Sequence, residues 1–211
     1  SAPGADFGWI RRSDADAGDT ATFALVGSDS DAGHRFVLGA DGHLRAGAVP
    51  LNYETASSHS LSIRVTDAGG LWYEKTLTLA VQDVNEAPTA IAADRVLAFS
   101  EGVAIGTELA FFRGSDADTN DTATYALVPG YDAGGRYTLR SDGLLQAGSV
   151  LTNYEAATSH TIRVRVTDAG GLSYDKDFTV GVLNLNEAPT DIMADRSLAF
   201  NENTAPGTVL A

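Results

Sequence analysis

An all-β chain of tandem Greek-key β-sandwiches, seven strands to each repeat, is the architecture the sequence predicts, and three observations carry it. Short runs of alternating apolar and polar residues recur along the chain, and no stretch shows a long helical period. Gly, Asp and Asn punctuate those runs at turn-like intervals. The same words also return at one interval: Asn-Tyr-Glu ends at Glu54 and at Glu155, and 155 − 54 = 101. Asp-Ala-Gly-Gly-Leu starts at Asp67 and Asp168, and Asn-Glu-Ala-Pro-Thr starts at Asn85 and Asn186, with the same offset. About 100 residues is enough for one sandwich with its own core, and too long for a solenoid repeat of ~20–50 residues.

In the second repeat the strands are expected, in order, near Leu97–Phe99, Glu108–Phe112, Thr122–Val128, Arg136–Leu139, Leu144–Ala147, Thr161–Thr167 and Lys176–Leu183. The first four are short runs cut off from one another by Gly, Asp and Asn. Asp142-Gly143, like Asp41-Gly42, is a hairpin signal and joins the fourth strand to the fifth. Thr161-Ile162-Arg163-Val164-Arg165-Val166 alternates polar and apolar residues, the mark of a strand with one buried face. The joint at Asn85–Thr89 contains Pro88, which has no backbone donor and a fixed φ, so a short semi-rigid connection is expected there. The chain then divides into residues 1–86, a repeat lacking its first strand; 87–187, a complete repeat; and 188–211, the first strand of a following one.

The charge balance narrows the function. Twenty-eight Asp and Glu face 14 Lys and Arg, a net charge of −14. That argues against nucleic acid, which needs basic patches, and suits a protein that binds cations. Without cysteine there are neither disulfides nor thiolate metal sites. No signal-like or membrane-spanning stretch is present, and the sequence starts inside a repeat, as a piece of a longer or processed protein would.

The acids fall near the ends of each unit. Asp14-Ala15-Asp16 and Asp116-Ala117-Asp118 space two carboxylates by two residues, which in extended chain points both the same way. Glu54 and Glu155 precede a strand, Asp67 and Asp168 end one, and Asp83, Asn85 and Glu86 lie at the joint. Oxygen ligands without His or Cys suit a hard cation, and Ca²⁺ with its flexible coordination fits best. Two carboxylates ~4 Å apart repel by ~4 kcal/mol at an effective dielectric near 20, so several at one joint call for a cation.

These words resemble those of cadherin repeats, in particular the bacterial cadherin-like arrays of large surface or secreted proteins. Leu51-Asn52-Tyr53-Glu54 looks like the family's Leu-Asp-Arg/Tyr-Glu word, Ser115-Asp116-Ala117-Asp118 like its Asp-x-Asp word, and Val166-Thr167-Asp168 like its Ala-x-Asp word. Asp83-Val84-Asn85-Glu86-Ala87-Pro88 is similar to its calcium linker, and Asn201-Glu202-Asn203 to its opening word. The resemblance covers nearly the whole chain and implies an immunoglobulin-like sandwich with Ca²⁺ between successive repeats. Carried over by residue, it implies a metal site of Glu54, Asp83, Asn85, Glu86, Asp116, Asp118 and Asp168. Asp14, Asp16 and Asp67 become a half-site toward a preceding repeat, and Glu101, Glu155, Asn186 and Glu187 one toward a following repeat. Asn52 for a charged ligand, Glu86 for the linker Asp and Asn184 at the position of Asp83 depart from the pattern, so fewer or weaker ions are expected.

The implied function is a calcium-rigidified structural or adhesive element of an extracellular or cell-surface bacterial stalk, adhesin or fibre. Its partners are neighbouring repeats, copies of itself, and cell-surface or matrix polysaccharide, with no membrane insertion. Residues 1–8 align with 204–211, which leaves two readings: arbitrary trimming of a long array, or a tail centred on Leu198, Ala199 and Phe200 that completes the first unit of another copy by strand donation. Asp19, Asp29, Asp121 and Asp132 are read as turn residues and His59 and His160 as structural edge residues. Trp9, Trp72, Phe111 and Phe112 are read as core or inter-strand packing. No phosphate loop, zinc spacing or nucleophile–base set is present, so no enzyme is expected. The alternative is a carbohydrate-binding module of a secreted polysaccharide-acting protein, which needs an exposed aromatic platform.

Overall fold

Alternation decides which face of each strand is buried, and the second half of the chain shows it most clearly. In the computed structural model, which describes residues 2–14, 18–27, 33–118, 121–193, 205 and 207, Ser159–Thr167 forms a strand. Ile162, Val164 and Val166 on that strand are fully buried. Between them Arg163 and Arg165 point outward, each opposite an aspartate of the next strand, and make two-pronged ion pairs with Asp177 and Asp175. These pairs hold both aspartates below the usual carboxylate range, chiefly through the guanidinium hydrogen bonds.

The described residues contain strands and no helix. In chain order they are β1 (Asp6–Trp9), β2 (Ala21–Leu25), β3 (Phe36–Leu38), β4 (His43–Ala46), β5 (Ser58–Asp67) and β6 (Trp72–Ala80). Then come β7 (Ala90–Ala93), β8 (Ala98–Ser100), β9 (Glu108–Ser115), β10 (Thr124–Leu127), β11 (Tyr137–Leu139), β12 (Leu144–Ala147), β13 (Ser159–Thr167) and β14 (Ser173–Leu183). The first six make two sheets, β1-β4-β3 and β2-β5-β6, and the rest make two more, β11-β12-β9-β7 and β10-β13-β14-β8. No helix among the described residues is long and apolar enough to cross a membrane.

Both Asp-Gly hairpins form. Gly143 has φ 92° and donates its N–H to Arg140 O at 3.0 Å. A Cβ there would stand 2.5 Å from the Phe112 carbonyl, so both the backbone angle and the close approach require glycine.

The expected opening strand near Leu97–Phe99 forms as β8, and a further strand, β7, precedes it, so the second half has eight strands rather than seven. β7 pairs antiparallel with β9 and β8 pairs parallel with β14, one in each sheet. Asp94 fixes the crossing between them by accepting the Phe111 N–H at 2.9 Å. Ala90-Ile91-Ala92-Ala93 has only one large apolar residue, which is why alternation gave no signal for it.

In the first half no described strand pairs with the outer edges of β1 or β6. The core is thinner accordingly: Val166 and Val180 are fully buried, whereas Val65 and Leu79 at the matching positions are half-buried. Of the two readings given for the tryptophans, core or inter-strand packing, the second holds: Trp9 is 54% exposed and Trp72 59% exposed, and each packs on a residue of the neighbouring strand. Trp9 stacks on the His43 ring at 4.5 Å, and Trp72 lies 4.6 Å from the Arg64 guanidinium, so both pack on polar neighbours of the outer face. Phe112 is buried as expected, 4.7 Å from Phe178. Leu198, Ala199 and Phe200 lie outside the described residues.

Candidate metal centre

Asn52 and Asn153 show how the sequence places its glutamates. Asn52 Oδ1 accepts the Thr55 N–H at 2.7 Å and Asn153 Oδ1 accepts the Ala156 N–H at 2.7 Å, closing the turns that carry Glu54 and Glu155. The asparagine that departs from the charged residue of the family word therefore has a turn to hold. Glu54 then stands beside the link that leaves β6. One carboxylate oxygen from each of Glu54, Asp83, Glu86 and Asp118 lies within 4.8 Å of the others. The Glu86 N–H donates to Asp118 Oδ2 at 2.9 Å, tying the link to the loop after β9.

A second group adjoins it. Asp116, Asp121 and Asp168 also bring one oxygen each within 4.8 Å of one another. Asp168 is buried, accepting from Leu172 N at 2.7 Å and from the Asn85 side-chain amide at 2.9 Å. A Cβ on Gly170 would fall 2.5 Å from Asn85 Oδ1, so the glycine of Asp-Ala-Gly-Gly leaves room for Asn85 to reach across. Asp116 Oδ1 accepts from Asp118 N at 3.2 Å, linking the two groups.

The seven residues named for the joint are thus brought together. The sequence reading missed Asp121. It does make the turn contact expected of it, accepting the Thr122 N–H at 2.7 Å, but its other oxygen accepts from Ala169 N at 3.1 Å and joins Asp168. Only its recurrence with Asp19 in Asp-Thr-Ala-Thr could have singled it out.

Glu101, Glu155 and Glu187 form a third group at the other end of the second half. Glu101 is buried and accepts from Tyr154 N at 2.7 Å and Leu185 N at 2.8 Å. Those backbone bonds, led by Leu185, hold its carboxyl below the usual range. Asn184 donates to Glu155 at 3.1 Å, and Asn186 is exposed in the link. At the far end of the first half Asp67 accepts from Leu71 N at 2.8 Å and Asp14 pairs with Arg12, while Asp16 lies outside the described residues. His59 and His160 edge the rings of Phe36 and Tyr137, and burial lowers both imidazoles.

The donors fit calcium. Ligands on opposite sides of one Ca²⁺ stand ~4.6–5.2 Å apart, twice the 2.3–2.6 Å bond, and each group falls inside that sphere. Among the described residues no lysine or arginine pairs with the acids of the joint. Glu86 shows the resulting strain: desolvation first, then the charges of Glu54, Asp118 and Asp83, push its carboxyl up. Glu187 is raised in the same way, by desolvation and then by Glu101 and Glu155.

No family model matches the chain. It is 32% identical over 148 residues to Protocadherin Fat 1 of Homo sapiens, covering 66% of this chain and 3% of that protein. It is 26% identical over a 227-residue alignment to Cadherin-18 of Bos taurus, covering 98% of this chain and 28% of that protein. The chain therefore spans a small part of the relatives it matches. Among solved structures, human Protocadherin-24 EC1-2 superposes with a TM-score of 0.71 at 16% identity, over 88% of this chain and 91% of that one. The Protocadherin gammaB7 EC3-6 cis-dimer superposes at 0.65 and 18% identity, over 89% of this chain and 44% of that one.

Proposed function

We propose that this chain, cadherin-like in fold and in its sequence relatives, is a pair of calcium-binding repeats, residues 1–86 and 87–187, with residues 188–211 opening a third. Calcium at the joint holds the repeats in line, and the role is mechanical: a stiffened structural or adhesive element of an extracellular bacterial stalk, adhesin or fibre. Its partners are neighbouring repeats or copies of itself. The observation that carries the reading is the meeting of link, turn and loop acids at one place, where Asn85 and Glu86 of the link bond to Asp168 and Asp118. Without a cation those charges repel, by ~4 kcal/mol for a pair ~4 Å apart.

Titration calorimetry tests it. Calcium should bind with a dissociation constant of ~10⁻⁴–10⁻³ M, the range of extracellular sites, and Asp118→Asn should weaken it; a flat titration of the folded chain would defeat the reading.

The raised carboxyl of Glu86 gives the pH dependence its sign. Between the ordinary glutamate range and the raised one, the folded metal-free chain holds more protons than the unfolded chain, so its stability falls as pH rises through that window. Calcium must displace the same proton, so its affinity falls as pH drops into the window, by up to ~10-fold per pH unit for one proton. Glu86→Gln should flatten this slope, and an unchanged slope would remove Glu86 from the site.

Head-to-tail assembly is a second reading, favoured by the outer edges of β1 and β6, with which no described strand pairs. Ile192, at the position of the buried Ile91, is 96% exposed. In this reading residues 191–211 of one copy add to those edges on another. Deleting 191–211 should abolish any fibre, and fibres that persist would sink the idea. Polysaccharide binding would draw on exposed aromatics such as Trp9 and Trp72, but His43 and Arg64 each cover one of their faces.

A further inference from the structure

The two halves differ at one position in a way that bears on metal. Asp14, Asp19 and Asp67 of the first half match Asp116, Asp121 and Asp168 of the second, word for word. The second trio converges within 4.8 Å, whereas the first forms no such group among the described residues. The residue before Ser-Asp-Ala-Asp is Gly114 in the second half and Arg12 in the first.

That exchange is built into the packing around it. A Cβ on Gly114 would meet Val166 at 3.0 Å and the Tyr125 hydroxyl at 3.4 Å, and the Gly114 N–H donates to that hydroxyl at 2.6 Å. In the first half Phe23 stands at the position of Tyr125, so the hydroxyl that the glycine N–H meets is gone, and the side chain at this position turns to the acids. One arm of the Arg12 guanidinium pairs with Asp14 and the other donates to the Asp19 carbonyl. The pair is largely covered, with side-chain exposures of 20% for Arg12 and 29% for Asp14. Arg12, Asp14 and Asp67 line one cavity of about 280 Å³ together with Trp72.

A guanidinium here does by chain chemistry part of what a divalent ion would do at the second-half trio: it brings positive charge to the acidic end and donates to the Asp14 carboxylate and the Asp19 carbonyl. We propose that Arg12 takes the cation position of this acidic end, so that the first half meets its neighbour there without calcium, while the joint at Asp168 requires it. This rests on the calcium reading of the Asp116, Asp121 and Asp168 group. Metal dependence would then vary from joint to joint along one chain, set by a glycine-to-arginine exchange.

The tryptophans make the test site-resolved. Both lie in the first half, and Trp72 lines the Arg12 cavity. The nine-residue β6 separates Trp72 from the Asp83 joint by roughly 25 Å, at ~3.3 Å per residue. Terbium(III), an oxygen-seeking stand-in for calcium, emits under tryptophan excitation only when bound close to the ring. The 211-residue chain should stay dark under tryptophan excitation while calorimetry shows calcium at the joint. Arg12→Gly and the bulkier Arg12→Gln should both light up and gain about one ion per chain, and adding Asp67→Asn should extinguish the emission. Tryptophan-sensitised emission from the unaltered chain that Asp67→Asn abolishes would overturn the proposal. So would two folded, dark Arg12 variants whose calcium binding, lost on Asp168→Asn, is intact. Absence of any calcium binding that depends on Asp168 would bring down the calcium reading itself, and this inference with it.

Discussion

Asp168→Ala should cost the second half about 2–4 kcal/mol in calcium and abolish most of the gain in melting temperature that calcium gives. The buried carboxylate accepts from Leu172 N and from the Asn85 amide; alanine takes the acceptor from the Leu172 N–H, at ~1–3 kcal/mol, and leaves the exposed Asn85 amide only its bond to the Glu86 carbonyl. Calcium binding adds to this. At a ~10-fold excess over its dissociation constant, each independent site contributes ~1.4 kcal/mol. In chelator the loss should be smaller, because removing one carboxylate also relieves its repulsion with Asp116 and Asp121. Asp168→Asn separates the two effects: it keeps the shape and an oxygen to accept from Leu172, so in chelator it should lose less than Asp168→Ala, and its main deficit should appear in calcium. Thermal melts of the three proteins, with calcium and with chelator, decide this. A loss for Asp168→Asn as large in chelator as in calcium would mean that the charge at this position does not act through calcium.

The second large effect lies in the core. Phe112→Ala should destabilise the second half by about 3–5 kcal/mol, enough to unfold much of it, since Phe112 is fully buried against Phe178. The matching Ile10 of the first half is only half-buried, and Ile10→Ala should cost clearly less. Denaturant unfolding of both variants compares them directly. Because Asp116 and Asp118 follow the end of β9, the strand that carries Phe112, calcium binding by Phe112→Ala should fall in proportion to the unfolded fraction. Equal costs at the two positions would contradict the contrast between the cores.

How much of this is legible in the sequence depends on the residue. Ile162, Val164 and Val166 declare their strand because arginines alternate with them and the other face is solvated. The joint is legible because its acids recur as whole words, so co-occurrence stands in for geometry. Periodicity cannot find β7, where Ile91 is the only bulky residue in a four-residue strand set among alanines. Asp121 is hidden for another reason. An aspartate that closes a turn with one oxygen looks the same in sequence whether or not the other is engaged, and Ala169, its partner, is 48 residues away. The role of Gly170 is invisible too, since the amide it makes room for belongs to Asn85 in the link. Trp72 misleads because size suggests a core, while its place opposite Thr66 at the start of β6 turns it outward onto Arg64.

Straightening of the joint by calcium is the point on which the proposed role stands or falls, and small-angle X-ray scattering measures it. With calcium in ~10-fold excess over a ~10⁻³ M dissociation constant, the 211-residue chain should scatter as a straight rod of fixed maximum dimension. In chelator the maximum dimension should shrink or its distribution broaden, and Asp168→Asn should look the same with and without calcium. Identical profiles of the unaltered chain in the two conditions, with calcium shown to be bound, would contradict calcium stiffening.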